Sequence, residues 1–237
     1  MRYNILKIKI YALIFASVLL NAVCSFGADV NIFSEGAYTD KNSNNDFVLY
    51  IYANINTTSL RSFGLLVNYN NSDIINPTIV INDSIWYLGD GTSAGNYKYP
   101  APDTDILGKI VFAGGKLDVN NPASGVDPGQ RILLGTITFD RVSENTPSIT
   151  ISLNNTENYK NFVDINGSVL DDKIDGIIFS PALIAIRGDA NADGIFSRAD
   201  ITIIKTYYNN GTYKCFADCN YDNTINRKDI RCVRNLQ

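Results

Sequence analysis

At 237 residues, 45% hydrophobic and 19% charged, the chain has room for one or two domains and is too apolar to be disordered throughout. Its formal charge of −4 becomes −7 once the first 27 residues are set aside, with 17 basic against 24 acidic residues remaining, a balance that excludes the basic surface nucleic acid requires. The lack of any histidine excludes Ser-His-Asp and Cys-His nucleophiles.

Residues 1–27 have the order of a secretory signal. Arg2, Lys7 and Lys9 precede the apolar stretch "IYALIFASVLLNAV", and small residues follow in "CSFGAD", so cleavage is expected near Gly27. A retained membrane anchor is the rival, disfavoured because the run is short for a span and Asn21 interrupts it. Lipidation at Cys24 is a weaker alternative, since Val23 stands where a small residue is expected. Removal of the signal implies a secreted or cell-surface protein with no span left.

From 28 to 186 the pattern is that of strands. In "FVLYIYANI", Phe47, Leu49, Ile51, Ala53 and Ile55 share one face, with Val48, Tyr50, Tyr52 and Asn54 on the other. "SFGLLVNY" alternates again through Phe63, Leu65, Val67 and Tyr69, and "PTIVI", "ILGKIVFAGG", "RILLGTITFDRV", "PSITISL" and "DGIIFSPALIAI" follow. A period of two means a half-buried sheet, and turn formers such as "LGDGTSAGN" and "NNPASGVDPGQ" separate the runs. Eight or so such strands predict a β-sandwich of jelly-roll or immunoglobulin-like topology. Trp86, Tyr87, Tyr97 and Tyr99 cluster in one turn-rich stretch and are candidate sugar-stacking faces, with core or sheet packing as the alternative. Asp171, Asp172 and Asp175 form the nearest acidic cluster outside the tail, better read as a turn or stray cation site than as a catalytic pair.

At Arg187 the character changes with almost no linker, so the two regions are expected to touch. "GDANADGIFSRAD" and "ADCNYDNTINRKD" each carry Asp-x-Asn-x-Asp and each lead into a helical run, "RADITIIKTYYNN" and "RKDIRCVRNLQ". An EF-hand-like loop supplies oxygens at positions 1, 3, 5, 7, 9 and 12, with a tight turn at 6. The first loop offers Asp189, Asn191, Asp193, the Ile195 carbonyl, Ser197 and Asp200, with Gly194 at the turn. The second offers Asp218, Asn220, Asp222, the Thr224 carbonyl, Asn226 and Asp229, with Asn223 as the next-best residue for a left-handed backbone. Short oxygen-bearing side chains on alternate residues converge on one point and suit two Ca²⁺ ions rather than a transition metal. Asx-rich turns are the bland alternative, and two loops offset by 29 residues with the same apolar positions make it remote. Once the signal is removed, Cys215, Cys219 and Cys232 remain. The favoured disulfide is Cys215 with Cys232, because Cys219 falls inside an ion loop; a zinc site would have an incomplete ligand set.

A duplicated loop of this kind, each followed by its helix and ending in Asp at position 12, resembles a type I dockerin over residues 187–237, with its two F-hand calcium loops. The resemblance implies a cohesin-bearing partner held through Arg198, Ala199, Lys205, Thr206, Arg227, Lys228, Arg234 and Asn235. The family's Ser-Thr pair is missing there, and the basic residues suggest an acidic patch on the partner. "LRSFGLLVNYNNSDIINPTIVI" and "LLGTITFDRVSENTPSITISL" look like the cohesin pattern over about residues 29–186, a fold shared with carbohydrate-binding modules. The sandwich is thus a candidate binder of a dockerin or a polysaccharide. A non-enzyme is expected, since Glu35, Glu144 and Glu157 are the sole glutamates after the signal. The first reading is a secreted assembly protein in a polysaccharide-degrading extracellular complex. The alternatives are a carbohydrate-binding module carried by a dockerin and, behind it, a hydrolase with an Asp-based site.

Overall fold

The computed structural model describes residues 28–39, 47–92, 94–95, 102–154 and 162–237. The expected signal segment, Tyr97, Tyr99 and Glu157 lie outside them. Among these described residues twelve strands and two helices follow in order: β1 (Val30–Tyr38), β2 (Phe47–Ile55), β3 (Leu60–Tyr69), β4 (Ile74–Ile81), β5 (Leu88–Gly89), β6 (Lys109–Gly115), β7 (Leu117–Asp118), β8 (Gly129–Arg141), β9 (Ile149–Leu153), β10 (Val163–Asp164), β11 (Ile177–Phe179), β12 (Leu183–Ile186), then α1 (Arg198–Asn210), a 3-10 turn (Cys215–Ala217) and α2 (Arg227–Leu236). Among the described residues no helix is long and apolar enough to cross a membrane.

Two sheets face each other. The larger runs β11-β1-β2-β8-β4, with β12 also pairing in parallel with β1 beyond β11. The smaller is built on β3, which pairs with β6 on one side and with β9 and β10 on the other. The predicted alternation sets this arrangement: Phe47, Leu49, Ile51, Ala53 and Ile55 of β2 face Phe63, Leu65 and Val67 of β3 and Ile110 and Phe112 of β6 in one buried core. Gly36 lets β1 cross this layer, because a Cβ there would stand 2.7 Å from the Phe47 ring. The mainly β sandwich followed by a small helical unit is therefore as expected.

Two details differ. No run was singled out over β1, whose centre reads Ser34-Glu35-Gly36 and breaks the apolar alternation. The stretch "DGIIFSPALIAI" forms two strands, β11 and β12, interrupted at Ser180–Pro181, because proline lacks the N–H a continuous ladder needs.

Trp86 is a core residue. It is 2% exposed, meets the Phe63 ring edge-on at 4.8 Å, and donates its indole N–H to the Leu133 carbonyl at 3.1 Å. That corrects its candidacy as a sugar platform, which needs an open face. Tyr87 beside it is half-buried with Lys116 Nζ 5.6 Å from its ring centroid. Asp171 is structural too, accepting the Phe162 N–H at 2.9 Å, while Asp172 and Asp175 are exposed.

Candidate metal centre

Strand β12 runs into the first loop without a spacer, and the two loops then fold alike. Positions 4 and 6 of each adopt the left-handed region: Ala192 and Gly194 at φ 57° and 83°, Tyr221 and Asn223 at 66° and 59°. Alanine and tyrosine are costly there, so the loop closure has to be held by something else. Part of that support is an internal hydrogen-bond set repeated at the 29-residue offset. The position 1 carboxylate accepts the position 6 N–H, Gly194 to Asp189 at 2.8 Å and Asn223 to Asp218 at 2.9 Å. The position 12 carboxylate accepts the N–H of position 3, at 3.3 Å in both loops, and of position 9, at 2.7 Å in both. Position 5 accepts the N–H of position 7, at 2.9 Å for Asp193 and 3.1 Å for Asp222. Ser197 and Asn226 thereby become helix N-caps, and Asp200 and Asp229 close capping boxes at the starts of α1 and α2.

The carboxylates at positions 1 and 12 of both loops are buried. Burial pushes the Asp189 and Asp229 carboxyls above the usual range. The Asn220 amide, followed by Lys228, holds the exposed Asp222 below it. The second loop retains two buried oxygens without a hydrogen-bond partner, Asp218 Oδ1 and Asn220 Oδ1, at positions 1 and 3. An unpaired buried acceptor costs about 1–3 kcal/mol, and a hard cation is the partner that suits an all-oxygen set. Among the described residues no three His, Cys, Asp or Glu side chains form a ready cage by themselves. The remaining oxygens would come from Asn191, Ser197, Asn220, Asn226 and the carbonyls of Ile195 and Thr224. The donor chemistry fits a calcium ion, and the orphaned oxygens put that fit most firmly on the second loop.

The disulfide is Cys219 with Cys232, and Cys215 is free; this corrects the expected Cys215–Cys232 pair. Position 2 of an ion loop, Cys219, points away from the convergent odd positions and into the tail's own core with Ile201, Ile204, Ile230 and Val233. Cys215 faces the other way, into a cluster with Ala37, Val48, Ala185 and Phe216. Closing a loop of this length is worth about 3 kcal/mol. Cys232→Ser is expected to lower tail stability by about that amount in urea titrations followed by far-ultraviolet circular dichroism. An unchanged midpoint would remove the bridge from the folding account.

The cluster around Cys215 joins the tail to the outer face of the larger sheet. Glu35, 3% exposed, accepts from Arg131 Nη1 and Nη2 at 2.6 and 3.0 Å and pairs with Lys214. Burial alone would raise the Glu35 carboxyl; Arg131 and Lys214 overcome it and hold it below the ordinary range. Arg131 stacks over Tyr52 at 4.4 Å and donates to the Tyr213 carbonyl at 3.2 Å. Tyr213 sets its ring edge-on to Tyr50 at 5.7 Å. Burial pushes the enclosed Cys215 thiol up to about 12. None of Glu35, Arg131, Lys214, Tyr50 or Tyr213 was singled out as a contact residue from sequence, although the apolar outer positions Val48, Tyr50 and Tyr52 were a usable signal that the face is covered.

Arg198, Ala199, Lys205, Thr206, Arg227, Lys228, Arg234 and Asn235 are all exposed.

No family model matches the chain, and no curated protein matches it. Among solved structures it is similar to CaCohA2 from Clostridium acetobutylicum, at 15% identity and a TM-score of 0.45, over 70% of this chain and 96% of that one. It is also similar to the seventh ScaB type I cohesin from Pseudobacteroides cellulosolvens, at 16% identity and a TM-score of 0.42, over 66% and 91%. A chain of a type I cohesin–dockerin complex from Clostridium thermocellum matches at 12% identity and a TM-score of 0.44, over 67% and 94%.

Proposed function

We propose that this chain is a secreted, non-catalytic assembly protein whose tail folds around two calcium ions and docks a cohesin-bearing partner, in an extracellular complex that degrades polysaccharide. The observation that carries the reading is the loop architecture repeated 29 residues apart, down to the same hydrogen bonds and the same left-handed positions. The orphaned Asp218 and Asn220 oxygens support the ion, and the resemblance to type I dockerins supplies the partner class.

Charge supports the docking face. Residues 28–186 carry 9 basic against 18 acidic residues, whereas residues 187–237 carry 8 basic against 6 acidic, before any ion is added. An exposed basic helix surface on an acidic protein favours a partner with an acidic patch. Reversing Arg198, Lys205, Arg227 and Arg234 to glutamate is expected to weaken cohesin binding at least a hundredfold by calorimetry in calcium, with the helices intact. Undiminished affinity across a cohesin panel, or no cohesin bound by the unaltered chain, would overturn the partner assignment.

A further inference from the structure

We propose that ion capture by the second loop and the seating of the tail on the sheet are one coupled event, with Asp218 and Tyr213 as the link. This rests on the calcium reading above and adds a division of labour between the two loops.

Asp218 uses its two oxygens differently. Oδ2 accepts the Asn223 N–H at 2.9 Å and the Tyr213 hydroxyl at 3.2 Å, and lies 3.8 Å from Arg187 Nη1. Oδ1 is buried and has no hydrogen-bond partner, so it is the oxygen left for a cation. Tyr213 in turn faces the sandwich: its hydroxyl lies 3.4 Å from that of Tyr50, and its carbonyl accepts from Arg131, which is held by Glu35. Lys214, the next residue, returns to the same Glu35 carboxylate. A cation on Oδ1 fixes the rotation of the Asp218 carboxylate and so the position from which Oδ2 receives Tyr213. Anything that anchors Tyr213 and Lys214 to the sheet must then raise the affinity of that loop, because coupling is reciprocal.

The first loop is wired differently. Asp189 spends Oδ1 on the Asp193 N–H and Oδ2 on the Gly194 N–H, both within its own loop. It reaches the interface cluster through the Ala192 methyl, which gives packing but no hold on a ligand oxygen.

The test uses the full chain and calcium chloride. Glu35→Gln sits on β1, away from either loop, and removes the charge that Arg131 and Lys214 share. It is expected to weaken one of the two calcium-binding events about fivefold or more by calorimetry, and to leave the other unchanged. Tyr50→Phe, which keeps the ring, provides a milder second variant with the same direction. N-ethylmaleimide labelling of Cys215, located by peptide mapping, reads the seating itself: calcium should slow it at least tenfold, and Glu35→Gln should shift that protection to higher calcium. Emission from Trp86, the sole tryptophan, reports that the sandwich remains folded. Two ions bound with unaltered affinity in Glu35→Gln, or Cys215 labelling indifferent to calcium while two ions bind, overturns the coupling and leaves the calcium loops standing. No uptake of calcium by the unaltered chain overturns both.

Discussion

Replacing Asp189 and Asp218 together by alanine is expected to unfold the tail and leave the sandwich standing. Each residue opens a loop and supplies two oxygens, one of them holding the N–H at position 6 across the turn. The 51 residues from 187 to 237 are near the size at which a hydrophobic core alone stops sufficing. An ion present at a hundred times its Kd adds about 2.7 kcal/mol, so two add about 5 kcal/mol, comparable with the whole stability of a small domain. The double variant should lose calcium uptake and the helical signal of α1 and α2 in far-ultraviolet circular dichroism, along with partner binding. Trp86 emission should not move, because its partners are Phe63 of β3 and the Leu133 carbonyl of β8. A variant that kept its helices and still took up two ions would refute the role given to these carboxylates.

Trp86→Ala is expected to destabilise the sandwich by about 3–5 kcal/mol, the cost of emptying a large aromatic site in a packed core. For a domain of this size that lowers the midpoint of thermal unfolding by roughly 10 °C. The indole packs edge-on against Phe63, itself backed by Phe112, and is satisfied by the Leu133 carbonyl, so little around it can collapse into the void. Any loss of polysaccharide binding should follow loss of fold as temperature rises. Thermal stability unaltered by Trp86→Ala, together with glycan binding abolished, would restore the residue as a sugar platform and revive the carbohydrate-binding alternative.

Much of the molecule was legible from local rules. The alternation in β2 and β3 assigned the core face residue by residue, because a strand's period of two admits no other assignment once one face is apolar. The backbone turn of the two Asp-rich loops was legible for a similar reason: a left-handed residue at position 6 is a local requirement, and Gly194 and Asn223 meet it at φ 83° and 59°. What escaped was set by contacts distant in sequence. Glu35 lies in a strand whose centre looks like a turn, and its partners Arg131 and Lys214 are 96 and 179 residues away. The disulfide differs from the expected pair because a place within an Asp-rich loop does not occupy Cys219: its side chain turns into the tail's core, where it meets Cys232. Trp86 stood among turn formers, and nothing local reveals that such a loop folds back over the sandwich's interior.

The abrupt join between β12 and the first loop has a mechanical consequence. A module on a long flexible tether searches a volume and gains from high effective concentration. Here the helices that would hold a partner are bolted to a rigid slab by Glu35, Arg131 and Lys214, so their bearing is fixed before any encounter. A cargo caught on α1 and α2 would be presented at one set angle, like a bracket on a wall, and lengthening the join by a few glycines would convert that bracket into a leash.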